Sequence, residues 1–308
     1  MHRNLQITVP FSVTDKLCGD LIALENVIGL SVVRQASLKP VGDVITVQVL
    51  NRGADEVLRC VAEATKGKHF SVATSELASL TDSEQGDAIN NDLDEAIWEE
   101  MECGLRHQAR VTPNFLALMA LGGAIAAVGL VSEPVPQAIT FTASAIIAPG
   151  FEPLTKIPLG IVLRSWSVFR RGITATLVGY AVLIAAAALT MLVLLGASAV
   201  TAQEFVGNSQ VKATIDPDLK NIIVPICGAL AGAVMFAAYR RSVIAGPLVV
   251  LMTIPAAAII GASIATGQMD FLRGGLMRFG LDALFIIGAG IVVFWLKQAL
   301  VHRRKPLS

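Results

Sequence analysis

The chain has little that would support catalysis or metal binding. Its four cysteines, Cys18, Cys60, Cys103 and Cys227, form no CxxC pair, and none has a histidine at zinc-ligand spacing. The four histidines are scattered at 2, 69, 107 and 302, so no metal site is expected and the cysteines read as free thiols. "GASAV" and "GASIA" have a glycine two before a serine but none two after, which excludes a nucleophile elbow, and no phosphate-binding glycine loop occurs. Catalytic residues, cofactors and enzymatic activity are therefore not expected. Charge is also scarce: only 16% of residues are charged and 54% are hydrophobic, too apolar for an ordinary soluble domain. The opening "MHRNLQITVP" is polar and alternating, with no apolar core beside a basic leader, so no cleavable signal peptide is expected.

The zero net charge hides two unlike parts. Residues 1–110 hold 17 of the 24 acids and 10 of the 24 bases, a balance of −7 that the remainder offsets with +7. That acidic front is the wrong sign for phosphate contacts, so no nucleic-acid partner is expected. Its pattern alternates from Leu5 ("LQITV"), then turns helical from Thr14 to Val27 with Leu17, Leu21, Ile22, Leu24 and Ile28 on one face. The strand "GLSVVRQ" comes next, then a turn with Pro40 and Gly42. "DVITVQVL" follows, placing Ile45, Val47 and Val49 on one side. A helix "ADEVLRCVAEATK" and a strand "HFSVAT" complete a βαββαβ order over residues 1–78, the α+β ferredoxin-like arrangement of two helices on a four-stranded antiparallel sheet. Such a domain suits a small-molecule sensor, a gate or an assembly module.

Residues 79–110 read as an acidic linker and connecting helix. "DLDEAIWEEMECGLRHQAR" starts acidic and ends basic, matching the helix dipole, with Leu93, Ile97, Met101 and Leu105 as an apolar stripe and Trp98 at its edge. A solvated coupling helix is the expectation there.

Residues 111–300 predict an α-helical integral membrane domain of about six spans. "PNFLALMALGGAIAAVGLV" (113–131) has no charge over 19 residues, enough for a hydrocarbon core of about 30 Å. Further apolar segments lie at 135–163, 172–199, 221–238, 243–266 and 279–297. Residues 301–308 form a basic tail. Placing the front domain in the cytoplasm puts eleven lysines and arginines inside and four outside (Lys212, Lys220, Arg273, Arg278), so both termini are expected to be cytoplasmic, with 200–220 the long outer loop.

The segment 135–163 would overshoot a bilayer as one straight helix, at roughly 43 Å. Its core, "IIAPGFEPLTKIP" (146–158), carries Pro149, Gly150, Pro153 and Pro158 together with Glu152 and Lys156. A broken span is expected, because carbonyls freed by proline inside lipid need protein, water or a ligand. Two intramembrane charges each cost roughly 3 kcal/mol. They are four apart with the acid first, so they can simply pair, or snorkel. The alternative is that Glu152 couples a proton or cation, or that Lys156 holds an anion, with Thr140, Thr142, Ser144 and Thr155 lending hydroxyls. Asp282 can likewise pair with Arg278. An internal echo adds Pro255: Phe169, Arg171 and Gly172 follow Pro153 at the offsets at which Phe271, Arg273 and Gly274 follow Pro255. An echo between the second and fifth spans would give a 3+3 inverted repeat.

"SAIIAPGFEPL", the basic "RSWSVFRRG" after it, and "VVLMTIPAAAIIGASIATGQMDFLRGG" later in the chain resemble the paired motifs of the bacterial membrane family called domain of unknown function 389, over about residues 115–290. The resemblance implies a multi-span protein of the bacterial inner membrane, with the lipid bilayer as its surroundings. The family's first motif has a Gly-Ala-Met-type run before Ala-Pro and a small residue where Glu152 stands, so Glu152 marks a departure. The function expected is a transporter or channel-like protein for a small solute or ion, assembled as a homo-oligomer and regulated by its front domain. The competing expectation is a membrane-anchored sensor or scaffold.

Overall fold

The computed structural model describes residues 2–92, 95–102, 110–238, 251 and 253–301. Cys103, Leu93, Leu105, the first part of the expected fifth span and the basic tail lie outside the described residues. The chain divides into two compact units, 1–101 with 297–308, and 102–296.

The first unit contains β1 (Arg3–Val9), α1 (Phe11–Ile22), β2 (Val27–Leu38), β3 (Val41–Val49), α2 (Ala54–Thr65), β4 (Ser71–Glu76) and the short α3 (Gly86–Asn90). The sheet order is β2-β3-β1-β4 with each neighbouring pair antiparallel, the topology expected of a βαββαβ domain. Alternation explains its core: Leu5, Ile7 and Val9 of β1 and Ile45, Val47 and Val49 of β3 are buried against Leu17 and Leu21 of α1 and Val57 and Val61 of α2. The first helix differs from the expected one. It begins at Phe11, directly after Pro10, and ends at Ile22, which is 69% exposed, while Ile28 belongs to β2. Pro10 fixes the entry, and the chain turns at Ala23 before the apolar spacing runs out.

Residues 95–101, expected in a solvated coupling helix, are instead packed into the first unit. Asp92 accepts from the Asn51 backbone N–H at 2.7 Å and contacts His2 Nδ1 at 3.0 Å. Arg3 pairs with Glu100 at 3.0 Å, and Ile97, Trp98 and Met101 are fully buried. Burial raises the Glu100 carboxyl above its ordinary range, with Arg3 opposing the shift.

The second unit is helical: α4 (Pro113–Gly129), α5 (Pro134–Ile147), α6 (Phe151–Val162), α7 (Trp166–Gly196), the short α8 (Ala202–Gly207) and α9 (Ser209–Ile215), α10 (Leu219–Ala237), α11 (Thr253–Thr266) and α12 (Met269–Leu300). Among the described residues three helices, α7, α10 and α12, are long and apolar enough to cross a membrane, and α5 with α6 make a fourth candidate as a bent pair. The helix of the expected first span, α4, has 17 residues, or about 25 Å, shorter than these and at the low end for a crossing. α7 begins at Trp166 and α12 at Met269, earlier than their apolar stretches, and so take in Arg170, Arg171, Arg273 and Arg278. Only 22–28% of the apolar windows of the three long helices is buried. Their outward faces carry Leu177, Leu189, Leu284 and Trp295, each more than 60% exposed, a surface that suits lipid.

Small residues let the helices close on one another. A Cβ at Gly123 of α4 would lie 2.3 Å from the Leu183 carbonyl oxygen of α7, and one at Gly261 of α11 would lie 2.3 Å from that of Ile184. α7 is thus gripped at adjacent carbonyls by two helices. The segments bearing the sequence echo also take one form. α6 (12 residues) leads into α7 (31), and α11 (14) into α12 (32). Each turn has a left-handed residue two before the long helix, Arg164 at φ 53° and Gly267 at φ 71°. Each also has a bond reaching five residues back, Ser165 N–H to Gly160 and Gln268 N–H to Ser263, the Schellman pattern.

Candidate functional site

The break is present. Ala148 sits at φ −82°, ψ 119°, the extended region into which a following proline forces its neighbour, and α5 and α6 meet at 50°. Pro153 falls in the first turn of α6, where its missing N–H costs nothing. Pro158 is inside α6 and seats against Gly290 of α12, where a Cβ would come within 2.5 Å of its ring.

The structure packs this break tightly. The Tyr180 hydroxyl donates to the Gly150 carbonyl at 3.3 Å, and the Gly150 N–H turns back to Ala148 at 2.8 Å. A Cβ at Gly122 would lie 2.5 Å from that of Ala148. Pro149 and Glu152 are half-buried, Gly150 and Pro153 are buried, and Lys156 is 3% exposed. Among the described residues no ion pair joins Glu152 to Lys156, and Lys156 has another interaction of its own. The hydroxyls foreseen as ligands close on their own helices: Thr140 on Gln137 O (2.9 Å), Ser144 on Phe141 O (2.8 Å) and Thr155 on Phe151 O (3.0 Å).

Among the described residues a cavity lies elsewhere in the same unit. Its volume of about 290 Å³ is walled by α5 (Gln137, Phe141, Thr142), α9 (Gln210, Thr214), Asn221 of α10, Leu251 and Pro255 beside and in α11, and Arg278 of α12. Of the residues picked out from sequence, it gathers Thr142, Pro255 and Arg278, and does not include Pro149–Lys156, Thr140 or Ser144. Arg278 is 3% exposed; its Nε donates to Asp282 Oδ2 at 3.1 Å and its Nη2 to the Asn221 carbonyl at 3.0 Å. The pairing expected from their four-residue spacing is therefore formed, although Asp282 Oδ1 is buried without a hydrogen-bond partner.

Sequence reasoning missed Gln137. It is 2% exposed, and neither its amide nitrogen nor its amide oxygen finds a hydrogen-bond partner. Leaving such a group unpaired costs about 1–3 kcal/mol, a cost that packing alone does not account for. The available signal was a glutamine one turn into an otherwise apolar, proline-started helix.

No curated protein matches the chain. A family model does: the one described as Domain of unknown function (DUF389) matches residues 145–288, from the end of α5 into α12, so this stretch is similar to that family.

Proposed function

We propose that the protein is an inner-membrane transporter or channel-like protein for a small solute or ion, regulated by its N-terminal α+β domain. The observation that carries this reading is the cavity itself. An apolar bundle has no packing reason to line an open volume of about 290 Å³ with Gln137, whose amide is unpartnered, and with Arg278, which is held in a buried pair with Asp282; the volume is near the lower end for small-molecule sites. In this reading α4 and the expected span 243–266 complete six crossings, both termini are cytoplasmic, and copies of the chain associate. The matched pairs α6–α7 and α11–α12, with their common turn, support a repeat of the kind that frames transporter sites.

Glu152 and Lys156 then act beside the cavity, in coupling and in holding the bent span. The test is flux. Purified chain in liposomes should carry at least one of urea, glycerol, chloride, potassium or protons faster than protein-free vesicles do. Gln137→Leu should abolish that flux with the fold intact, and Glu152→Gln should change its proton dependence. Equal flux with and without protein across the whole panel would refute transport; unchanged flux in Glu152→Gln would remove that residue's role alone.

A further inference from the structure

We propose that the cavity is a water-filled receptor for a small uncharged solute carrying both hydrogen-bond donors and acceptors, of the amide, urea or polyol kind; this rests on reading the cavity as the transport site. Three observations lead there. First, Gln137 lines the cavity and carries a donor and an acceptor in one planar group, both unmet and both closed to water as the side chain stands, so a rotation about its side-chain bonds is what would present them together. A bare anion answers only the nitrogen and a bare cation only the oxygen, whereas a second amide, a urea or a diol answers both.

Second, the one charged residue among the described lining residues is already compensated. Arg278 holds the Asp282 carboxylate at 3.1 Å, both side chains being 2% exposed, so guanidinium and carboxylate together present no net charge. An anion would have to compete with Asp282 for the guanidinium, and a cation would face Arg278. Third, the rest of the polar wall is uncharged. Thr142 and Thr214 already donate to Ala138 O and Gln210 O, each at 2.8 Å, which leaves their oxygens as acceptors, and Gln210 and Asn221 add amides. About 290 Å³ is roughly ten waters' share of liquid at about 30 Å³ each, so a solute of a few heavy atoms fits with some of its water.

The experiment reads charge preference directly and needs no transport. Gln137→Cys and, on the same wall, the exposed Thr142→Cys are made in the full chain in liposomes, together with Thr214→Cys on α9. Each is treated with anionic, cationic and neutral methanethiosulfonates of matched size, and modification is located by peptide mass. Position 137 should react, and its anionic-to-cationic rate ratio, normalised to a free thiol in solution, should stay within about threefold of unity. A single uncompensated charge at this range would shift that ratio by about tenfold or more. A tenfold preference for either sign would overturn the uncharged class while leaving flux untouched. No reaction at 137, 142 or 214 under conditions that modify a free thiol in solution would show the cavity dry and overturn the receptor. Should Gln137→Cys fail to fold, Thr142→Cys reads both charge preference and access to water from the same wall. A neutral, reactive cavity in a chain that moves nothing in the flux panel would uphold this inference and defeat transport.

Discussion

Replacing Asp282 with alanine should destabilise the helical unit sharply, and replacing both members of the buried pair should not. Arg278 and Asp282 meet at 3.1 Å with both side chains 2% exposed. At an effective dielectric of about 20 the attraction is about 5 kcal/mol, and breaking a buried pair from one side costs about 3–5 kcal/mol because a charge is left without its partner. The pair lies within one helix, so a separated α12 in detergent can still form it, and the lower end applies. About 3 kcal/mol, or roughly two orders of magnitude in the folding equilibrium, is expected for Asp282→Ala. Arg278→Met with Asp282→Leu removes both charges and should stay within about 1 kcal/mol of the parent. Unfolding in mixed micelles with increasing dodecyl sulfate, followed by tryptophan fluorescence, measures both. A double variant as unstable as Asp282→Ala would refute the argument, since the loss would then lie in side-chain shape and not in an abandoned charge.

Tyr180→Phe leaves the Gly150 carbonyl, buried at the break, without its 3.3 Å donor and should cost about 1–2 kcal/mol in the same assay; no change would mean that water or another donor meets that carbonyl. Gly267 has φ 71° and open space around a would-be Cβ, so Gly267→Ala should cost about 1 kcal/mol by backbone conformation alone. Arg164→Gly, at the equivalent turn with φ 53°, should move stability the other way by a similar amount. In the front domain, Asp43 accepts from the Gln35 N–H and the Thr14 hydroxyl, both at 2.7 Å, and pairs with Arg34. The Gln35 N–H and then the Thr14 hydroxyl hold its carboxyl below the ordinary range. A lowered folded value means stability that is present above the unfolded pKa of about 4 and is lost as pH falls through and below it. Protection factors of β1 and β3 amides, taken relative to intrinsic exchange at each pH, should fall through that window, and in Asp43→Asn this part of the pH dependence should vanish.

The front domain was legible because a period of two puts Leu5, Ile7 and Val9, then Ile45, Val47 and Val49, on one face, and a turn sequence separates each run from the next. What sequence could not show was that Asp92 and Ile97 would return to the sheet: their partners, Asn51, His2 and the domain core, are far away along the chain. The break was legible too, since Ala-Pro-Gly allows no helix to continue. The site was not. Gln137, Thr214, Asn221, Pro255 and Arg278 come from five helices, and their convergence depends on how closely those helices approach. Gly123 and Gly261 set that approach around α7, where a Cβ at either would lie 2.3 Å from a carbonyl, and small residues are too common in apolar helices to reveal which ones touch. Hydropathy also overstated α4, because an apolar run counts residues beyond the last helical turn.

The break and the cavity are related although they do not coincide. α5 is peripheral, with Val135, Ile139 and Ile146 all at least 60% exposed, whereas α6 is buried from Pro153 to Gly160. The 50° turn at Ala148–Gly150 is where the chain passes from the rim of the bundle to its middle. A straight helix would have kept both halves at one depth, either burying the α5 wall or exposing Lys156. With the turn, α5 can offer Gln137 and Thr142 to open volume while α6 packs against α7 and α12 through Gly172 and Gly290. Tyr180 fixes the corner by holding the Gly150 carbonyl, and it also stacks edge-on to Phe279 at 4.8 Å, the residue beside Arg278. The corner and the cavity thus share one neighbour. A change in the bend would have to pass through Tyr180 and Phe279 to reach the Arg278–Asp282 pair.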